Sequence, residues 1–343
     1  MTLKKFGATP DGEAVWLAEL KDGGISVEVI SYGATVHKLL APDRDGKYED
    51  VILGKDNIKG YLDAGTPAAS VIGRVANRIS KHSFSLNGKR YNLVANEKKN
   101  TLHSASGNYA RKNFSVIDAT DKLVRMALRD CGEGGFPGEA TIEVCYSLPG
   151  DGTLLMEYAV IPTMDTPVNL TNHIYFNLAG QGSGAVYGHT LSINADYFTP
   201  SDSRNIPTGE IFSVKKTPYD LRKPRNLGEA LDELEKSGGI HNGFDINYVL
   251  KGDGWRKIAE AAEEGSGRVM EVFTDLPGVQ LYAGNHIREG IAGKDGAKYR
   301  AHSGFCLETQ FFPDSIHNPH FPGGIAFANE LFTTATSYRF SAR

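Results

Sequence analysis

Cysteine is scarce in this sequence. Cys131, Cys145 and Cys306 are the only three in 343 residues, and none belongs to a Cys-x-x-Cys pair. An odd, scattered set of this kind argues against a disulfide framework and against a thiolate zinc site. Tryptophan is scarcer still, at Trp16 and Trp255. No apolar run reaches the ~18 residues needed to span a bilayer, so no transmembrane helix and no membrane partner are expected. Residues 1–7 lack the apolar core of a secretion signal, and a cytoplasmic, reduced protein is the expectation. An excess of one charge is also missing. The 37 Lys plus Arg against 41 Asp plus Glu leave a net charge of −4. Sequence-independent nucleic-acid binding needs a cationic surface, so no nucleic-acid partner is expected. There is no Gly-x-Gly-x-x-Gly turn and no Gly-x-Ser-x-Gly elbow, which removes two common enzyme signatures. Linkers, low-complexity stretches and obvious repeats are absent, and residues 1–343 read as one domain.

Turn formers are abundant, with 39 glycines and 15 prolines, and they favour many short strands over long helices. Residues 25–30 alternate with period two. Residues 84–86 and 89–93 flank Asn87-Gly88, the pair that supplies two positive-φ positions to a type I′ hairpin turn. A second hairpin is expected across residues 265–273. Residues 139–147, 154–161 and 191–195 also read as strands. Helical periodicity is confined to Leu227, Ala230, Leu231 and Leu234, with Asn226 as N-cap and Gly238 as stop. Many strands and one short helix imply an all-β fold with sheets packed face to face.

Several segments carry polar side chains in patterns that suit chemistry. In residues 169–178, strand periodicity puts Thr171, His173, Tyr175 and Asn177 on one face. Asn172, Ile174, Phe176 and Leu178 take the other. One face packs a core, and the first offers an imidazole, a phenol and an amide; a solvated outer face is the alternative. In residues 305–311, Cys306, Glu308 and Gln310 point one way. A carboxylate desolvated by apolar neighbours has a raised pKa, which suits general base work; an outward-facing Glu is the commoner arrangement. Arg74 and Arg78 sit four apart beside apolar residues, either in a polar cleft or bonded to loop carbonyls. His103 follows the first hairpin, where a lone histidine is more often structural. Residues 242–245 and 277–282 each set one polar side chain beside turn residues. His317 and His320 lack a nearby third ligand, so no metal site is expected there.

Taken together, the segments at residues 73–79, 101–103, 135–138, 170–178, 207–210, 244–245, 277–280 and 302–310 resemble the galactose mutarotase (aldose 1-epimerase) family, in that family's order. The resemblance runs from about Gly33 to the C-terminus. It implies a large antiparallel β-sandwich with an open sugar-binding cleft. It implies interconversion of the α and β anomers of free aldohexoses such as galactose and glucose, with no cofactor and no metal. By motif position, Glu308 matches the general base, His173 the general acid, and His103 a partner for the ring oxygen. Asn77, Arg78, Tyr175, Asp245 and Gln280 match sugar-binding positions. A small-molecule sugar is the implied partner, and a monomer or weak homodimer the expected state.

The sequence departs from the family after His103. The family usually carries Gly-Gly, then Gly-Phe-Asp-Lys and a tryptophan; here Ser104 and Ala105 replace the glycines and residues 104–114 hold no tryptophan. This loop is expected to border the cleft, with Phe114 as a smaller apolar wall in place of the missing indole. The alternatives are an epimerase of the same fold acting on a modified or phosphorylated sugar, and a non-catalytic sugar-binding module. A glycosidase would need a second carboxylate, and Asp245 would have to supply it.

Overall fold

A computed structural model describes residues 3–63, 68–238 and 243–343. The period-two segments form the strands. The first meander pairs Lys4–Ala8, Ala14–Asp22, Ile25–Ile30, Thr35–Pro42 and Tyr48–Asp50 in sequence order. A nine-stranded antiparallel sheet follows, in which the C-terminal strand Phe332–Ala342 inserts between Thr153–Pro162 and Arg268–Thr274. A smaller five-stranded sheet carries Asp245–Val249, Gly278–Tyr282 and Cys306–Gln310 side by side.

One apolar cluster joins all three sheets. Val27 and Val36 come from the first, Met156, Met270 and Tyr338 from the second, and Ile246, Val279 and Leu307 from the third. The Tyr338 hydroxyl donates to the Leu307 carbonyl at 2.9 Å, tying the centre of the large sheet to the strand that bears Glu308. This is a large antiparallel β-sandwich.

Local expectations hold where the signal is local. Asn87 and Gly88 both take positive φ between Ser83–Leu86 and Lys89–Asn92. The helix Leu227–Lys236 buries Leu227, Ala230, Leu231 and Leu234, and its N-cap Asn226 accepts from the Glu229 amide. The hairpin through residues 265–267 joins Arg256–Glu263 to Arg268–Thr274. Residues 169–178 differ from the expected strand. Only Thr171–Asn172 forms a ladder, against Val71–Ile72, and every residue from Asn169 to Leu178 is buried. The solvated outer face is therefore ruled out: the segment threads through the interior, and both of its faces are buried. Among the described residues, no helix is long and apolar enough to cross a membrane.

Candidate active site

The alternating pattern of the three short strands builds the floor of a cleft. In antiparallel register Asp245 lies opposite Tyr282, and Tyr282 opposite Cys306. Asn247, Gln280 and Glu308 form the next row, and Val249, Gly278 and Gln310 the third. Directly opposed residues share a face. That face therefore collects Asp245, Gln280, Tyr282 and Glu308, while Ile246, Val279, Leu281 and Leu307 turn into the core.

Two other segments close over this floor. The His173 amide donates to the Ser70 carbonyl at 3.0 Å and its carbonyl accepts from the Ala69 amide at 2.9 Å, which fixes the backbone at the imidazole. Thr101–Leu102 pairs with Arg78–Ile79, placing His103 beside Asn77 and Arg78. The resulting open cleft has a volume of about 920 Å³, within the roughly 300–1,000 Å³ of small-molecule sites. All eight residues matched to the family's site line it: Glu308, His173, His103, Asn77, Arg78, Tyr175, Asp245 and Gln280.

At the centre, His173 Nε2 lies 3.7 Å from Glu308 Oε1. Cys306 Sγ lies 3.4 Å from His173 Nδ1, so one strand touches both nitrogens of the ring through residues two apart. Glu308 is 3% exposed, which overturns the outward-facing arrangement. Burial, joined by the Asp245 carboxylate, holds the Glu308 carboxyl well above the usual range, with Arg78 pulling the other way. Burial also pulls His173 down to about 4. The His103 ring stands edge-on to His173, with centroids 5.7 Å apart. Its Nδ1 accepts from the Asn77 amide at 3.1 Å, so the neutral ring carries its proton on Nε2. Burial, then the charges of His173 and Arg78, push His103 well below its ordinary value.

The walls are polar and organised. Arg78 Nε and Nη2 donate to the two oxygens of Glu97 at 2.7 and 2.9 Å. Asp245 accepts from Asn205 and from Gln280, both at 2.7 Å. Tyr175 lies 4.9 Å from His173 between ring centroids, and Tyr282 lies 6.0 Å away. Tyr282 was legible in principle, since it shares the strand face of Gln280. Asn205 and Glu97 sit in loops far from their partners in sequence, and no local pattern marks them. Arg74 is not a cleft residue. It is bonded to Asp130 and to the carbonyls of Pro137 and Gly138, the loop-carbonyl arrangement.

The remodelled loop borders the cleft through Ala105, Ser106, Asn108, Ala110 and Arg111. Phe114 does not. It is buried in the main core, 6.4 Å from the Tyr109 ring, because its backbone is drawn to the Ser31 carbonyl. The expected apolar wall is thus absent at that position. Ser104 turns its hydroxyl back onto Val75, and His103, Ser104 and Ala105 all hold positive φ. The backbone keeps a glycine-like path without glycine.

Asn242 lies outside the described residues. His317 is bonded to Asp314 and Ser80, and His320 to the Gly209 carbonyl, so the two histidines do not converge. One close trio of possible metal donors exists among the described residues: His173, Cys306 and Glu308, within 4.8 Å of one another. The sulfur and the carboxylate face opposite nitrogens of one ring.

The aldose 1-epimerase family profile matches residues 17–339. Galactose mutarotase from Bos taurus is 43% identical over 343 residues, covering 99% of this chain and 98% of its own. Aldose 1-epimerase from Escherichia coli strain K12 is 31% identical over 340 residues, covering 97% of each. The crystal structure of an aldose epimerase homologue from C. elegans superposes with a TM-score of 0.88 at 28% identity, covering 96% of this chain and 99% of that one. With the fold, the cleft and these matches in agreement, the chain belongs to the aldose 1-epimerase family.

Proposed function

We propose that this chain is an aldose 1-epimerase, an isomerase interconverting the α and β anomers of free aldohexoses such as galactose and glucose. The observation that carries this reading is the Glu308 carboxyl 3.7 Å from the His173 imidazole, both buried at the floor of an open cleft. Glu308 removes the C1 hydroxyl proton while His173 donates to the ring oxygen, and His103 Nε2–H helps to hold that oxygen. The ring opens to the aldehyde. Rotation about C1–C2 turns the other face, and closure reverses both transfers. Each positioned acid or base contributes about 10²–10⁴-fold.

The pair works with one proton. Opening moves it from His173 to the sugar while Glu308 takes another from the sugar, and closure returns both. Burial favours that proton on Glu308 in the empty cleft, which is the arrangement reached after ring opening. Asp245, Arg78 Nη1, Asn77 and the remaining Gln280 N–H face the hydroxyls, and Tyr175 packs against the ring. No step calls for a cofactor or metal. A sugar phosphate is less suited. Arg78, the arginine on the cleft wall, is committed to Glu97 through two hydrogen bonds.

The chain acts as one domain, monomeric or weakly dimeric, in a reducing cytoplasm. The continuous core supports the single domain, and three free cysteines suit a reducing compartment. Polarimetry of freshly dissolved α-galactose and α-glucose tests the function. Both rotations should relax far faster than in buffer; relaxation at the buffer rate would overturn the reading.

A further inference from the structure

Gln310 is fully buried and lines no part of the cleft, yet it faces the sugar-binding row. Its Nε2 donates to Asn247 Oδ1 at 3.0 Å and to Gln280 Oε1 at 3.2 Å. Both hydrogens of the amide are therefore used. Its own Oε1 is buried without a hydrogen-bond partner. An amide left alone would turn to satisfy that oxygen, but turning it would aim an acceptor at two acceptors. The orientation is imposed by its neighbours.

The imposition begins at Asp245. An ionised carboxylate only accepts, so Gln280 must present Nε2 to it, and does so at 2.7 Å. The Gln280 oxygen then points back along the sheet, where Gln310 meets it. Asn247 completes the chain by donating to Thr199 Oγ1 at 3.3 Å. Gln310 reaches Asn247 across the central strand because Gly278 lies between them. A Cβ on Gly278 would stand 2.7 Å from Asn247 Oδ1. The strand pattern places a residue without a side chain where the relay must cross.

We propose that Gln310 is a positioning residue for sugar binding: it locks the polarity of Gln280, and through it the Asp245 carboxylate that receives the substrate hydroxyl. The inference rests on the mutarotase reading above. A wild-type protein without turnover would sink that reading and leave the hydrogen-bond relay to be judged by spectroscopy.

The kinetic test is a cycle of Gln310→Met, Gln280→Met and the double variant, each assayed by polarimetry on α-galactose. Gln310→Met keeps length and volume but cannot donate. It should raise KM roughly tenfold, on the scale of couplings within such networks, with kcat little changed. In the Gln280→Met background the same change should have almost no further effect. Full additivity, or a fall in kcat with KM unmoved, would overturn the proposal, since a general packing defect does not act through Gln280. A second measurement covers variants that fail to fold. In ¹⁵N spectra of the wild-type protein, the Gln310 carboxamide should show two inequivalent protons protected from solvent exchange. A freely rotating or rapidly exchanging Gln310 amide would equally overturn it.

Discussion

Two buried acid–base pairs, Arg74 with Asp130 and His173 with Glu308, behave as opposites. Arg74 and Asp130 are 1% and 4% exposed, and their polar atoms are matched. Asp130 also accepts from the Tyr109 hydroxyl at 2.6 Å and the Gly132 amide at 2.9 Å, while Arg74 also meets Thr166 and two carbonyls. His173 and Glu308 are equally buried, but the Glu308 carboxyl has no hydrogen-bond donor in range among the described residues. The first pair is closed, each buried charge matched by the other and by further hydrogen bonds, so removing either partner would strand the one that remains. The second is left open toward the cleft, and its missing partners are what a substrate brings. Burial alone therefore does not mark a site; a buried titratable group left open toward a cleft does.

The largest test of this contrast removes the open carboxylate. Glu308→Gln should lower kcat by about 10²–10⁴-fold with the fold intact, measured by polarimetry and circular dichroism. Its stability should also differ in sign from a structural carboxylate. The Glu308 pKa lies above its ordinary 4.5 in the folded state. Ionising it above that pH therefore costs folding stability, which the Gln variant avoids. The variant's melting temperature relative to wild type should be higher at pH 8 than at pH 4. The reverse trend would show Glu308 to be a stabilising ion.

Asp130→Ala does the opposite. It strands Arg74 in the interior and should cost about 3–5 kcal/mol in urea unfolding. Molecules that remain folded should keep near wild-type kcat. A specific loss of kcat without loss of stability would place the closed pair in the site after all.

The pH profile of kcat/KM sharpens the picture further. Catalysis needs one proton on the Glu308–His173 pair. Below about pH 4 His173 takes a second proton and no base remains, so the rate falls with acid. At the alkaline end the shared proton leaves and no acid remains. Because burial holds that proton on, this limb should lie well above the ordinary carboxylate range. A single limb near 6.5 would contradict the arrangement.

Arg78→Ala should cost about 1.5–3 kcal/mol in kcat/KM, the worth of a charged hydrogen bond, with little change in stability, since Glu97 is a third exposed and regains water. An unaltered kcat/KM would make Arg78 a partner of Arg74 in kind. The smallest effect belongs to Ala105, which holds φ +50°. Ala105→Gly relieves a left-handed alanine and should raise stability by up to about 1 kcal/mol by thermal melting.

Much of this was legible in residue order, and the boundary follows a physical rule. Period-two alternation determines which side of a strand faces the core, so Glu308 was separable from Leu307 before any fold was known, while Asp245 and Gln280 came through the family resemblance. The Asn87-Gly88 turn and the Asn226-capped helix depend on dihedrals and neighbours within a few positions, and they formed as the sequence specifies. Motif order carried His103, His173 and Arg78 to their places through the family resemblance. Tertiary structure decided what depends on distance. Residues 169–178 alternate like a half-exposed strand, yet segments distant in the chain bury both faces. Phe114 reads as a cleft wall beside the loop, yet the Ser31 carbonyl and Tyr109 draw it into the core. Arg74 and Arg78 look alike in sequence, and only the positions of Asp130 and Glu97 separate them. Gln310 is one more polar residue on a strand until Asn247 and Gln280 are placed beside it. Side-chain direction is a local property of the backbone. Hydrogen-bond partnership and depth of burial are set by segments far away in the chain, and a single strand's sequence does not encode them.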